Sequence, residues 1–379
     1  MTTLIVQKYI QKLLDKADIT LNGNKLHDIK LLDERALKRI INDGSLGLGE
    51  SYMEGWWECE SLDALSYQLC IAEIHKEIKF NFIHFLYNLS SKIYNLQNKK
   101  LSKQVADIHY DLDNNLFELM LGPTMAYSCG YWKGVNDLNS AQIAKYELIC
   151  KKLNLNKQDT LLDIGCGWGG LAAYAVEHYG CHVVGISIAA NQISYAKERF
   201  KHLPIDFYTA DYRDLSIYNP GKKRFTKLVS VGAFEHIGYK NYNTFFNLMK
   251  RQLDDDGLFL LHTIGNNETI MYPDRWIHKY IFPNGILPSM AQLTSAVEPF
   301  FIVEDWHNFG SDYDKTLLAW NQNFENNRDS LQTRFDMRFY RMWRYYLLMC
   351  AGMFRARGAQ LWQIMLSKTG VKGGYESIR

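Results

Sequence analysis

The stretch LLDIGCGWGG, Leu161–Gly170, decides the fold of this chain. Its apolar first half predicts a short buried strand, and its glycines predict a tight turn that opens a helix. Glycine lets the backbone turn sharply and approach a ligand, and ligands of such folds bind at the carboxyl ends of the strands. The stretch therefore predicts a strand–loop–helix unit that carries a cofactor.

Strands and helices alternate on the carboxyl side of Leu153. The predicted strands are Thr160–Ile164, Cys181–Ile186, Ile205–Thr209, Lys227–Val231, Gly257–Ile264 and Phe301–Trp306. The predicted helices are Gly169–Tyr179, Ala189–Phe200, Tyr242–Leu253 and Arg334–Gly352. Alternation of this kind is typical of βαβ units and a mostly parallel sheet. We therefore predict a Rossmann-like α/β fold with helices on both faces of the sheet.

The spacing of the glycines separates two classes of cofactor. Gly165, Gly167 and Gly169 follow a G-x-G-x-G pattern, whereas dinucleotide sites use G-x-G-x-x-G, which Gly170 also allows. Asp163 precedes the first glycine by two residues, and no acid follows the second predicted strand, where NAD sites place one. The pattern resembles motif I of S-adenosylmethionine-dependent methyltransferases.

Composition argues against some classes of partner. The 379 residues carry a net charge of only +2, so we expect no nucleic-acid partner. Aromatic residues make up 14% of the chain, which suits an apolar pocket, a surface that meets membrane, or a large core. Seven cysteines without a CxxC pair argue against a disulfide framework or a zinc site, and we predict no metal.

A cluster of arginines lies near the carboxyl end, between Arg334 and Arg357, with Asp336 as the only acid. Arg334, Arg338 and Arg341 share helical spacing. Two interpretations stay open. The cluster is either the solvated face of an amphipathic helix or a basic face beside an anionic bilayer or phospholipid headgroup.

The beginning of the chain, Met1–Lys16, lacks the pattern of a signal peptide. No apolar run approaches the roughly 20 residues that a helix needs to span a bilayer. We therefore expect a cytoplasmic protein that meets membrane only at the surface of its inner face.

Seven further segments resemble those of cyclopropane-fatty-acyl-phospholipid synthases, and they follow one another in the family's order. They are Met125–Trp132 (MAYSCGYW), Asp211–Asp214 (DYRD), Val231–His236 (VGAFEH), Leu260–Gly265 (LLHTIG), Tyr280–Gly285 (YIFPNG), Glu304–Gly310 (EDWHNFG) and Cys350–Arg355 (CAGMFR). The similarity runs from about Lys99 to the end. It implies that the methyl of S-adenosylmethionine moves to a cis double bond of a phospholipid acyl chain, and that loss of a proton then closes a cyclopropane ring.

The first hundred residues carry no recognisable chemistry. By the resemblance, residues 1–100 form a small, mainly helical domain and residues 101–379 form the catalytic domain of a class I methyltransferase, with a polar link at Lys99–Gln104. Within the first part, Gly44–Trp57 predicts a buried loop or short helix rather than a strand, and Leu65–Leu96 predicts one or two long helices. The family also implies a homodimer.

The resemblance implies a set of residues that contact S-adenosylmethionine. They are Tyr127, Ser128, Gly165, Gly167, Gly169, Ser187, Gln192, Tyr212 and Arg213. Asp163 joins this set through the glycine motif. Asp211 joins it because it ends the third predicted strand, where such folds address adenine; a role in a turn or a helix cap is its alternative.

The family also implies a base for the proton that leaves, namely a bicarbonate held by Cys129, Glu235, His262 and Tyr313. Glu235 follows one predicted strand and His262 lies near the end of another, so both are expected at the carboxyl edge of the sheet. Each residue also has a structural alternative. Glu235 can be a salt-bridged loop acid and His262 a hydrogen-bonded core histidine. Cys129 can be a small buried thiol, and Tyr313 a packed aromatic ring.

Two other functions stay open on the sequence alone. One is a related lipid C-methyltransferase that leaves a methyl branch or a hydroxyl, and the other is a lipid-binding module without catalysis. Methyl transfer to an alkene leaves a carbocation, so the site must exclude water, and aromatic faces can stabilise the charge. The segments together favour the cyclopropane synthase, which acts on unsaturated phospholipids at the membrane surface.

Overall fold

A computed structural model describes residues 3–74 and 114–379 of the chain. Its contacts divide these residues into two units. The first comprises residues 3–74, Tyr272–Pro283 and Tyr313–Ala359, and the second comprises residues 114–271, Asn284–Asp312 and Gln360–Arg379. The predicted link at Lys99–Gln104 and most of the predicted helical span Leu65–Leu96 lie outside the described residues.

The first unit is built mainly from helices. They are Thr3–Leu14, Arg35–Asp43, Ser45–Met53, Leu62–Ile71, Arg275–Tyr280, Arg328–Gln332, Met337–Arg355 and most of Asp312–Asn326. Two short strands, β1 (Lys30–Leu31) and β2 (Trp57–Glu58), pair antiparallel. The stretch Gly44–Trp57 thus contains the expected short helix, but its last residue begins a strand because Trp57 pairs with Leu31.

The first unit includes two later segments that the sequence assigned to residues 101–379. The helix Met337–Arg355 packs against the helix Leu62–Ile71, and the Ser66 hydroxyl donates a 2.6 Å hydrogen bond to the carbonyl of Met349. Such contacts join residues nearly three hundred positions apart, and local sequence patterns carry no signal for them. The expected boundary near residue 100 falls outside the described residues, so the division at that point stays a prediction.

The arginine cluster is paired with acids of the first unit. Four of its members contact carboxylates: Arg338 with Glu54, Arg341 with Glu58, Arg344 with Glu325, and Arg355 with both Asp63 and Asp314. The pairing partners lie far along the chain, so the sequence around the arginines suggested a surplus of positive charge. These ion pairs offset the positive charge of the four arginines, and both interpretations of the cluster stay predictions.

The second unit is organised around a sheet of seven strands. These are β3 (Thr160–Ile164), β4 (His182–Ser187), β5 (Ile205–Thr209), β6 (Phe225–Val231), β7 (Leu253–Asn266), β8 (Ile302–Asn308) and β9 (Ala359–Ser367). Their order across the sheet is β5-β4-β3-β6-β7-β9-β8. The pairs from β5 to β7 are parallel, and β8 and β9 are antiparallel.

Helices cover both faces of this sheet. On one face the buried core includes side chains of the helices Leu138–Lys152, Gly170–Tyr179 and Ala190–Arg199. On the other it includes side chains of Tyr242–Gln252 and Met290–Val297. The predicted α/β fold with helices on both faces is confirmed. In such a sheet, residues that follow β3, β4, β5 and β6 meet at one carboxyl edge.

Candidate active site

The loop after β3 is shaped by two glycines with backbone angles that other residues avoid. Gly165 has a φ of +81° and Gly167 a φ of +55°. A Cβ added to Gly165 would lie 2.5 Å from the Cβ of Ala233, whereas one added to Gly167 would meet no atom within 4 Å. Gly165 thus permits contact with the loop that follows β6, and Gly167 leaves its backbone accessible to a ligand.

Asp163 lies beneath this loop at 2% exposure. Burial raises the pKa of its carboxyl to about 7, although the nearby Lys145 ammonium acts in the opposite direction. Among the described residues its Oδ2 has no hydrogen-bond partner. A buried polar atom without a protein partner needs a ligand or water, so the residues of this loop fit a cofactor that carries N–H groups, as the ammonium of S-adenosylmethionine does.

Two neighbouring loops carry more of the predicted cofactor residues. The Ser187 hydroxyl, at the end of β4, donates a 3.2 Å hydrogen bond to Oε1 of Gln192, and both residues are buried. After β5, Nε and Nη2 of Arg213 lie 2.6 and 2.7 Å from the two carboxylate oxygens of Asp211. Asp211 therefore stabilises its own turn, which is the structural role that the sequence left open. Its contact with adenine stays a prediction.

Tyr212, between these two residues, is 9% exposed, and its ring packs edge-on against Phe245 at 5.2 Å between centroids. Among the described residues, no hydrogen-bond partner reaches its hydroxyl. The segment DYRD therefore contributes one buried hydroxyl and one fixed guanidinium to the carboxyl edge. Their contacts with the cofactor stay a prediction.

The segment Met125–Trp132 is held by the helix Leu138–Lys152. Nζ of Lys145 donates hydrogen bonds to the Ser128 hydroxyl, at 2.7 Å, and to Oε1 of Gln142, at 2.6 Å. The Gln142 amide in turn donates to the Ser128 carbonyl at 2.8 Å. A Cβ at Gly232, which follows β6, would lie 3.8 Å from the Cβ of Ser128. The segment therefore lies at the carboxyl edge, where Tyr127 and Ser128 are predicted to meet the cofactor.

Glu235 is a buried acid at this edge, with 7% exposure. Its Oε1 accepts a 2.7 Å hydrogen bond from the backbone N–H of Ile264, on β7. Burial raises the pKa of the carboxyl to about 7, although that hydrogen bond acts in the opposite direction. Its Oε2 has no partner within the described part of the chain. Glu235 is therefore not a salt-bridged surface acid, and it can hold its proton near neutral pH.

His262 lies on β7, opposite Val231, the last residue of β6. The strand continues to Asn266, beyond its predicted end at Ile264, yet this register still places His262 at the carboxyl edge. The ring is 1% exposed, and burial lowers its pKa well below 6.5. No described residue bonds to its Nε2. Glu235 and His262 thus each have one buried polar atom that can form a hydrogen bond to a small anion.

Cys129 and Tyr313 are the other two predicted ligands of the anion, and they belong to different units. Cys129 is fully buried in the second unit, and its thiol donates a 3.2 Å hydrogen bond to the carbonyl of Gly130. Tyr313 belongs to the first unit, where its ring packs against Phe354 and Trp320 at 4.5 and 6.1 Å between centroids. Their parts in one anion site stay a prediction.

Three polar residues near the site were not identified from the sequence: Gln142, Lys145 and Gln363. Lys145 is 1% exposed and the two glutamines are fully buried, which is rare for these residue types. Gln142 and Lys145 stand three residues apart on one helix, so helical spacing was the only signal available. Gln363 lies on β9, a strand that was not predicted from the sequence.

Within residues 3–74 and 114–379, no three histidine, cysteine, aspartate or glutamate side chains gather as a metal site would require. No helix in the same residues is long and apolar enough to cross a membrane.

Comparison with known proteins identifies the family. The family model of mycolic acid cyclopropane synthetase matches residues 97–364. The cyclopropane-fatty-acyl-phospholipid synthase of Escherichia coli is 47% identical over 368 residues, which cover 97% of this chain and 94% of that protein. The cyclopropane mycolic acid synthase 2 of Mycobacterium leprae is 34% identical, over 69% of this chain and 92% of its own.

Solved structures agree with this result. The cyclopropane synthase MmaA2 of Mycobacterium tuberculosis matches with a TM-score of 0.66 and 28% identity, over 70% of this chain and 98% of that one. The mycolic acid cyclopropane synthase CmaA1, complexed with SAH and CTAB, matches with a TM-score of 0.64 and 31% identity, over 70% and 98% of the two chains. The resemblance recognised in the sequence is confirmed, and the chain belongs to the mycolic acid cyclopropane synthetase family.

Proposed function

We propose that this chain transfers the methyl carbon of S-adenosylmethionine to a cis double bond of an unsaturated phospholipid acyl chain and then closes a cyclopropane ring. The observation that carries the proposal is the 47% identity, across almost the whole chain, to a cyclopropane-fatty-acyl-phospholipid synthase. S-adenosylmethionine-dependent cyclopropanation of unsaturated lipid chains is the activity of the family. The phospholipid acceptor and the base are the finer parts of the proposal.

When bound, S-adenosylmethionine supplies an electrophilic methyl carbon on a sulfonium. The chain's own task is to hold the alkene in line with that carbon and to exclude water, and positioning of this kind can contribute about 7–11 kcal/mol. The loop Leu161–Gly170 offers backbone groups for the cofactor, and Asp163 offers a buried carboxyl oxygen. The burial of Cys129, Glu235 and His262 supports a dry site.

The second step removes a proton from the transferred methyl group. The new carbon–carbon bond leaves a cation on the acyl chain, and loss of one proton closes the ring without any oxidant or reductant. We propose a bound bicarbonate as the base, which becomes carbonic acid. Burial raises the pKa of Glu235 to about 7, so its protonated form can donate an O–H to one oxygen of the anion, and an N–H of His262 can donate to another.

The enzyme is proposed to work at the membrane surface and as a homodimer. The enzyme can reach the acyl chain of a phospholipid only at the surface of the bilayer. Because four arginines of the carboxyl cluster are ion-paired with acids of the first unit, that cluster is a weaker candidate for the lipid contact than the sequence suggested. Sedimentation with anionic vesicles at low and high salt tests the surface contact, and light scattering tests the dimer.

The decisive experiment incubates the enzyme with labelled S-adenosylmethionine and vesicles of a cis-unsaturated phospholipid, followed by mass spectrometry of the fatty acids. A labelled ring is expected. A labelled branch would favour a related lipid C-methyltransferase; a probable fatty acid methyltransferase of Pseudomonas putida is 34% identical over 73% of this chain and 72% of its own. Unmodified acyl chains with correctly folded protein would contradict both.

A further inference from the structure

Gln363 is a buried amide beside the histidine of the predicted anion site. It lies on β9, the strand next to β7 in the sheet, and it is fully buried. Its Nε2 lies 3.3 Å from Nδ1 of His262. Within the described part of the chain, neither Oε1 of Gln363 nor Nε2 of His262 has a hydrogen-bond partner. Among residues 3–74 and 114–379, the amide thus bonds to the site only through the imidazole ring.

The chemistry of the two groups decides where the ring proton lies. An amide nitrogen can only donate a hydrogen bond, so Nδ1 of His262 must accept with its lone pair. A neutral imidazole with an accepting Nδ1 carries its proton on Nε2. Nε2 is the ring atom without a protein partner, so the ring presents an N–H donor to a ligand.

The charges around His262 keep the ring neutral. Burial lowers its pKa, and Lys145, Lys152 and His307 act in the same direction. Nζ of Lys152 lies 3.0 Å from Nδ1 of His307, so this lysine forms a hydrogen bond with the neighbouring histidine. The aromatic ring of Phe309 stands 5.8 Å from His262 and 4.9 Å from His307. A cationic His262 is therefore disfavoured, and burial is the largest cause.

We propose that Gln363 is a positioning residue that sets the tautomer of His262, so that Nε2–H is available to the anion that removes the proton. The inference deepens the proposed function and rests on its assignment of His262 to the anion site. A histidine with its proton on Nδ1 would instead turn a lone pair toward a negatively charged ligand, which repels it. At metal sites, groups that fix the tautomer of a ligating histidine commonly change activity by tenfold or more, and we expect an effect of that size here.

The tautomer can be measured without any turnover. Full-length protein with isotope-labelled histidine is studied by NMR in the absence of cofactor and lipid, and a His262→Asn variant assigns the signal. In the wild type, Nε2 is expected to carry the proton and Nδ1 to show the signature of a hydrogen-bond acceptor. In Gln363→Met, which keeps the volume and removes the donor, the Nδ1 signal is expected to lose that signature.

Gln360 provides a matched control on the same strand. It is 7% exposed and bonds to Asn267 and Asn308, both at 3.0 Å. Gln360→Met is expected to leave the His262 signal unchanged. A proton on Nδ1 in the wild type would overturn the inference, and so would an Nδ1 signal that Gln363→Met leaves unaltered.

Kinetics separate this inference from the proposed function. Gln363→Met is expected to lower kcat roughly tenfold or more, with the KM for S-adenosylmethionine unchanged, because the cofactor loop is untouched. A wild-type enzyme that forms no ring would contradict the proposed function while leaving the tautomer result valid. The expected tautomer combined with an unchanged kcat in Gln363→Met would overturn only the claim that the tautomer serves catalysis.

Discussion

Glu235→Gln tests the central acid of the site through both stability and activity. The variant amide keeps an oxygen that can accept the 2.7 Å hydrogen bond from Ile264, so the local backbone should persist. What changes is the titratable proton. In the folded protein, burial raises the pKa of this carboxyl from 4.5 to about 7.

The sign of the pH effect follows from that direction. A carboxyl whose folded-state pKa is raised binds its proton more tightly when folded, so its contribution to stability is present at low pH and is lost as pH rises toward about 7. For wild type, this linkage predicts a loss of about 2–3 kcal/mol in the free energy of unfolding between about pH 5 and about pH 8. Glu235→Gln lacks that loss because its amide does not titrate.

Urea denaturation of both proteins at the two pH values measures the difference. The variant should gain about 2–3 kcal/mol relative to wild type on going from about pH 5 to about pH 8. Glu177→Gln, on the exposed side of the helix Gly170–Tyr179, is the matched control and should show no such gain. A parallel pH dependence in wild type and Glu235→Gln would refute the assignment of a buried, protonated carboxyl.

The same variant separates proton removal from cofactor binding. Turnover should fall by about two orders of magnitude or more, because an O–H that is matched to the anion is replaced by a weaker N–H donor. Calorimetry should find S-adenosylmethionine binding retained. Loss of cofactor binding by a correctly folded variant would assign Glu235 a different role.

Three further changes test other parts of the chain. Gly165→Ala should weaken S-adenosylmethionine binding at least tenfold in calorimetry, because its φ is +81° and its new Cβ would meet Ala233 at 2.5 Å. Tyr313→Phe keeps the ring that packs on Phe354, so the protein should still fold, and turnover should fall on the prediction that the hydroxyl holds the anion. Arg341→Met should destabilise the protein by about 2 kcal/mol in urea, because it removes the ion pair with Glu58 and a hydrogen bond to the Tyr52 carbonyl.

Each of these has a control or a contrary outcome. Gly221→Ala is the matched control for Gly165→Ala, because the atom nearest to its new Cβ would be Cγ of Lys223, at 3.9 Å. Full activity of Tyr313→Phe would remove its hydroxyl from the anion site. An Arg341→Met variant as stable as wild type, but with weaker vesicle binding, would return Arg341 to the lipid-facing interpretation.

The sheet could be predicted from the sequence largely because its strands are short apolar runs separated by helices. Thr160–Ile164 and Ile205–Thr209 match the observed strands at both ends. The strand Ala359–Ser367 was not predicted. All nine of its residues are buried, so it lacks the alternation of a strand with one solvated face, and two glutamines interrupt its apolar run.

The candidate site likewise contains residues that could be predicted from the sequence and residues that could not. Residues that directly follow strands, such as Gly165 and Glu235, could be placed at one edge because topology brings those positions together. Lys145 and Gln363 could not, since their burial depends on neighbouring elements that the sequence does not reveal. The ion pairs of the arginine cluster could not be predicted for the same reason, as Arg341 and Glu58 are 283 residues apart.

The buried groups of the site share a property that bears on mechanism. Burial raises the pKa of Glu235 to about 7 and lowers that of His262 well below 6.5, so both can be uncharged near neutral pH. Two neutral donors stabilise an anion without competing for its charge, and they add no second negative charge beside it. On the proposed mechanism, the anion is then the base that takes the proton from the carbocation. An ionised Glu235 would itself compete for that proton, so the raised pKa of the buried carboxyl favours the proposed anion as the base.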